Sequence, residues 1–158
     1  MEDNIDFSFI LDKHGWSTFL ISIKGAIHQI GISSVLSDPM YDITSLLLAL
    51  LNNEDKVEMQ WFEEPGWSIF RVIRDKTQRH ILSVEIGNAT DQYGSEYEKV
   101  VGFSIKQKQF LIIMFYQLKK SYHLLMEKSF AKDRQGEFPY DRYKKLVEKI
   151  EVTCPGIL

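Results

Sequence analysis

From Ile5 onward the chain alternates, with Ile5, Phe7, Phe9 and Leu11 standing between Asp6, Ser8, Ile10 and Asp12. A period of two puts one apolar face on a half-buried strand. His14-Gly15 offers a tight turn, since glycine accepts φ > 0. A second strand over 17–23 then places Phe19, Ile21 and Ile23 on one face. Lys24-Gly25 turns the chain again, into a third strand over 26–32. The first third predicts a three-stranded antiparallel meander.

The period then changes. Ser37-Asp38-Pro39 combines a capping side chain with a proline at the first helical position, where its missing N–H costs nothing. Ile43, Leu46, Leu47, Leu50 and Leu51 follow as one helical stripe. Asn52-Asn53 ends it, because asparagine tolerates the left-handed conformation. Strands are predicted at Lys56–Phe62, Trp67–Arg74, 79–86 and 100–106, the first two joined by a Glu64-Pro65-Gly66 turn with positive φ on the glycine. The acidic stretch 87–99 has no periodicity and reads as a loop longer than most ordered connections.

The last third is helical. Leu111, Phe115, Leu118, Tyr122 and Leu125 line one side of a long helix, whose later turns extend through Lys128, Lys132 and Arg134. Cations there suit the negative end of the helix dipole. Phe138-Pro139 breaks it, and Tyr143, Leu146, Val147 and Ile150 mark a final helix. No repeat, low-complexity tract or linker interrupts the chain. The order βββ-α-ββββ-α-α predicts one α+β domain over 1–158: an antiparallel sheet of about seven strands, with helices packed on one face or end.

Composition adds to this picture in two places. At 158 residues and 44% hydrophobic, the chain can bury a core without disulfide or metal staples. Its one cysteine, Cys154, allows no intramolecular disulfide and points to a reducing compartment. Met1-Glu2-Asp3-Asn4 is acidic, unlike the start of a signal peptide. The apolar run 110–116 is too short to span a bilayer. Asn88-Ala89-Thr90 matches a glycosylation acceptor but carries no weight without a secretion signal. The expected location is the cytoplasm, with no membrane partner. The net charge of −3 hides an asymmetry: residues 1–98 carry 16 acids against 7 Lys/Arg, or −9, and residues 99–158 carry 6 against 12, or +6.

Catalytic signatures are mostly absent. There is no phosphate-binding glycine loop, no nucleophile elbow and no histidine pair at metal-ligand spacing. His14 falls at a turn, while His28 and His80 fall in predicted strands that could meet across the sheet. Cys154 has no activating neighbour in sequence. Glu63 and Glu64 are adjacent in an extended segment, which sends them to opposite faces and argues against a shared carboxylate site. The expectation is a protein that is not an enzyme and uses neither cofactor nor metal. Lys119 and Lys120 beside Tyr116 and Tyr122 raise the question of nucleic acid. The acidic body would repel a polyanion, so no nucleic-acid partner is expected.

The acids cluster more tightly than the bases. Glu54, Asp55, Glu58, Glu63 and Glu64 have only Lys56 among them. Glu85, Asp91, Glu96 and Glu98 are interleaved with Tyr93 and Tyr97 in a stretch without Lys or Arg. Such a pattern fits either a merely solvated acidic surface or a contact with a basic partner, where tyrosine and tryptophan anchor binding. The candidate partner-binding residues are Glu63, Glu64, Trp67, Glu85, Asp91, Tyr93, Glu96, Tyr97 and Glu98.

His14-Gly15-Trp16-Ser17 leading into Leu20-Ile21-Ser22-Ile23-Lys24-Gly25, the Asp42-to-Leu51 leucine helix, and Trp61-Phe62-Glu63-Glu64-Pro65-Gly66 have a familiar look. Together they resemble a loosely defined group of small bacterial proteins, some of them immunity proteins of contact-dependent growth inhibition and related toxin systems. The resemblance covers roughly residues 7–87, and its motifs are turns and core positions, so it assigns no binding residue. It implies a stoichiometric inhibitor of a cognate toxin domain. Many delivered toxins are nucleases with basic clefts, which an acidic face would complement. The alternative is a non-catalytic adaptor or ligand-binding module with no toxin partner.

Overall fold

The computed structural model describes residues 4–158; Met1, Glu2 and Asp3, on which the signal-peptide reading rests, lie outside them. Strands β1 (Ile5–Leu11), β2 (Trp16–Ile23) and β3 (Ala26–Ser33) form the meander, and β4 (Lys56–Phe62), β5 (Trp67–Arg74), β6 (Ile81–Ala89) and β7 (Glu98–Lys106) follow in antiparallel order. Helix α1 (Pro39–Leu51) separates the two groups, and α2 (Gln107–Leu125) and α3 (Tyr140–Thr153) close the chain. The class and element order are those expected. The seven strands divide into sheets of three and four, the break falling between β3 and β4.

Both hairpin turns of the meander carry positive φ on two successive residues: His14 and Gly15, then Lys24 and Gly25. That geometry matches the right-handed twist of the strands it joins. Asp38 caps α1 by accepting the Tyr41 N–H, Pro39 opens it, and Asn53 beyond its end takes φ 62°. The stripe Ile43, Leu46, Leu47, Leu50 and Leu51 is buried throughout. It packs within one continuous hydrophobic cluster drawn from both sheets and all three helices. Aromatic rings link the sheets: Phe19 of β2 meets Trp61 at 5.4 Å and Phe70 at 6.0 Å, and Phe7 of β1 meets Phe103 at 6.0 Å. Among the described residues no helix is long and apolar enough to cross a membrane.

Four local expectations are corrected. The strand predicted from 79 begins at Ile81, which leaves His80 in a turn, in a different sheet region from His28 of β3. At the β4–β5 turn the Glu64-Pro65 peptide is cis and the positive φ of 53° belongs to Glu64, not to Gly66. The loop expected over 87–99 shrinks to residues 90–97, because β6 continues to Ala89 and β7 starts at Glu98. Helix α2 stops at Leu125, so Lys128 lies beyond it and Lys132 and Arg134 belong to a separate 3-10 turn, Lys132–Glu137. Arg134 is not a solvated end charge. It is 2% exposed, and its guanidinium donates to the carbonyls of Asp12 and Trp16, to Ser17 Oγ and to the Glu137 carboxylate.

Candidate protein-binding face

Strand alternation sends Met59, Trp61, Phe70, Val72, Val84 and Ile86 of β4–β6 into the core. The opposite face receives Glu58, Phe62, Trp67, Ile69, Arg71 and Glu85. Helices α1 and α2 pack on the core side; on the second face Ile69 is fully buried, while Glu58, Phe62, Trp67, Arg71 and Glu85 are half-buried.

Register puts Glu58, Arg71 and Glu85 side by side on three adjacent strands. Arg71 Nε donates to Glu58 Oε2 at 2.7 Å, and its guanidinium lies 4.5 Å from the centre of the Tyr97 ring. The Tyr97 hydroxyl donates to Glu85 Oε1 at 2.8 Å, and Lys99 Nζ stands 4.0 Å from Glu85 Oε2. Arginine over an aromatic face gains from the ring quadrupole while keeping its N–H groups for the carboxylates. A stretch that lacks cations along the chain therefore meets two in space.

Tyr97 lies against the sheet because the strand below it has no side chain. A Cβ on Gly87 would fall 2.4 Å from Tyr97 Cε2 and 2.5 Å from the Glu98 carbonyl oxygen. Gly102 makes similar room for Lys99, whose Cε would sit 2.7 Å from a Cβ there. The β6–β7 register slips between Ile86 and Gly87, an irregularity of the kind that re-aims side chains. Burial, then the Glu85 carboxylate it donates to, pushes the Tyr97 phenol up to about 12, so it stays a donor. Burial also pushes Glu58 upward, but the hydrogen bonds from Arg71 and Gln60 outweigh it and hold that carboxyl below its ordinary value.

The loop over 90–97 is ordered from within. Asp91 accepts the backbone N–H groups of Tyr93 at 2.9 Å and Ser95 at 3.1 Å, and Thr90 N–H donates to the Ser95 carbonyl at 2.9 Å. Hydrogen bonds from Ser95 first, opposed by slight desolvation, keep the Asp91 carboxyl low. This is the side-chain mimicry of a turn that aspartate performs well. Tyr93, at the tip, is 83% exposed.

Of the residues expected to bind a partner, Trp67, Glu85 and Tyr97 share this face, and Asp91, Tyr93 and Glu96 stand on the loop beside it. Trp67 pairs with Phe62 at 5.1 Å. Three residues go elsewhere. Glu98 opposes Asn88, which turns it to the face opposite Glu85. Glu63 accepts from core-facing Ser68 Oγ at 2.7 Å, and Glu64 accepts from Ser33 Oγ at 2.8 Å, tying the β4–β5 turn to the end of β3. Residues that sequence reasoning passed over are Phe62, Arg71, Lys99, Gly87 and Gly102. Their only signal is the pairing register, which needs the strands aligned first.

Among the described residues no three His, Cys, Asp or Glu side chains gather where they could hold a metal ion. Comparison with family models, characterised proteins and solved structures gives no match.

Proposed function

We propose that this chain is a non-catalytic protein-binding module, acting in the cytoplasm as an immunity protein that neutralises a cognate toxin by stoichiometric binding. The observation that carries the reading is the outward face of β4–β7, where half-buried aromatics and carboxylates lie together around buried Ile69, beside a structured loop. Binding residues on loops over a rigid sheet are the common arrangement for recognition. Phe62 and Trp67 present aromatic area at the end of the sheet from which the loop springs, since Trp67 pairs with Ala89, and exposed Tyr93 adds more on the loop itself. Glu96 makes no ion pair among the described residues, and Asp91 keeps its charge, so both steer a basic partner. A basic nuclease cleft is the partner chemistry that fits.

The test is binding kinetics against the toxin domain encoded next to this chain's gene. Reversing Glu96, which forms none of the loop's internal hydrogen bonds given above, should slow association about threefold at low salt and much less at high salt. Trp67→Ala and Tyr93→Ala should instead speed dissociation, at a cost of about 1–3 kcal/mol each if the rings are buried in the complex. Unchanged rates in all these variants would move the interface off this face. A wild type that binds no neighbouring toxin domain would end the immunity reading.

A further inference from the structure

A second region has the opposite charge. At the far end of β5, a cleft of about 360 Å³ opens between the β5–β6 turn, the start of α2 and the end of α3. Arg74, Arg79, His80, Lys108, Leu111 and Cys154 are among its walls. Arg74 is the unusual member. Its side chain is 3% exposed, yet its hydrogen bonds run to neutral oxygens: the carbonyls of Glu54, Arg79 and Leu50 and the Gln107 side chain. The one carboxylate near it, Asp55, stands 4.0 Å away and is held closer by Arg79, at 2.7 Å. Asp55 is itself 71% exposed, so solvent weakens its hold on both. Lys108 makes no ion pair among the described residues.

Buried guanidinium groups are normally matched by a carboxylate of their own, because taking the charge out of water is costly. Here Arg74 and Arg79 share one solvated acid, and Lys108 has no ion-pair partner among the described residues. The same cleft receives the first turn of α2, which has no side-chain cap and no acidic residue. Both features place positive potential in a concave space too small for a macromolecule. The cleft joins Arg74 and Arg79 of the acidic first part of the chain to Lys108 of its basic last part.

We propose that this cleft binds a small oxyanion, a phosphoryl or carboxylate group, between Arg79 and Lys108 over the fixed charge of Arg74. The site is separate from the sheet face described above, and neither depends on the other. Arg74 is already fixed by its carbonyl partners, so it needs no reorganisation on binding. Arg79 and Lys108 are the exposed pair that contact the ligand from the cleft's rim.

Cys154 is the sole cysteine and lines the cleft, so its chemistry reports on occupancy. The measurement is the rate at which a neutral maleimide modifies Cys154, at constant ionic strength, with inorganic pyrophosphate or succinate added. Saturable protection is expected, about tenfold at a concentration ~10 times Kd. It should vanish in the double variant Arg79→Gln/Lys108→Gln, both surface changes, and persist in Lys128→Gln. Protection by pyrophosphate alone assigns a phosphoryl ligand, and protection by both anions assigns the wider oxyanion class. Calorimetric titration of the same proteins gives a reading independent of the thiol. No saturable heat and no protection from either anion, or equal protection in the double variant, would overturn the proposal.

Discussion

At the scale of single residues, the surroundings of Asp42 couple its protonation to folding. It lies in the first turn of α1 and accepts a hydrogen bond from Trp61 Nε1 at 3.1 Å. Burial, helped by the nearby Asp38 charge and opposed by the Trp61 hydrogen bond, lifts its carboxyl from 3.8 to about 6. The folded state therefore binds a proton more tightly than the unfolded chain, and this group's contribution to stability declines as pH rises from about 4 to about 6. The full difference corresponds to roughly 3 kcal/mol, which partial solvent access trims to about 1–2 kcal/mol. Asp42→Asn keeps an acceptor for Trp61 and removes the ionisation. Urea denaturation should find the variant more stable by that amount at pH 7.5 and little changed at pH 4.5. Equal effects at both pH values would rule out ionisation as the cause. Gly87 offers a second test. Gly87→Ala must displace Tyr97 or the Glu98 backbone, at a cost of about 1–3 kcal/mol. In a double-mutant cycle with Tyr97→Ala, part of that cost should disappear, because the ring is one of the two atoms groups in the way. Strict additivity would mean that the ring does not occupy the space.

At the scale of elements, periodicity carried most of the fold. The strands and α1 repeat the chain's alternation because each has one wet and one dry face, and that contrast is written in consecutive residues. Leu47, fully buried in α1, should cost ~2–5 kcal/mol when changed to alanine. A denaturation midpoint shifted by less than about 1 kcal/mol would contradict the packing. What escaped was set by partners distant in sequence. Arg134 looks like one more lysine-region cation until the β1–β2 turn is brought against it, more than a hundred residues away. Arg134→Gln should cost ~2–4 kcal/mol, since the Glu137 carboxylate and two carbonyls lose their donor. That destabilisation would appear in denaturant unfolding; a loss below about 1 kcal/mol would return Arg134 to the surface. The candidate face shows the same division. Its acids and tyrosines are visible along the chain, whereas Arg71 joins them only through the β5–β6 register.

At the scale of the whole molecule, charge is sorted by chain position and by site. The acidic first part contributes the sheet face, and the cleft beside α2 brings two of that part's cations, Arg74 and Arg79, together with Lys108 of the basic last part. Replacing Lys119, Lys120, Lys128 and Lys132 by glutamine takes the net charge from −3 to −7. Association with a basic partner should then speed up by a few-fold at low ionic strength, on the order of 2–10, with dissociation unchanged. Stopped-flow rates at two salt concentrations check this, and a change confined to dissociation would instead put these lysines in the contact. The seating of Tyr97 over Gly87 reaches further than stability. With the loop's base clamped by that ring and its interior tied between Asp91 and Ser95, the side chains of the tip residues Gln92 and Tyr93 are relieved of any duty to the fold. Such a segment can diversify freely. A library randomised at those two positions should keep its folded fraction, while one that also randomises Tyr97 should not, which makes this hairpin a natural point for retargeting the scaffold to new partners.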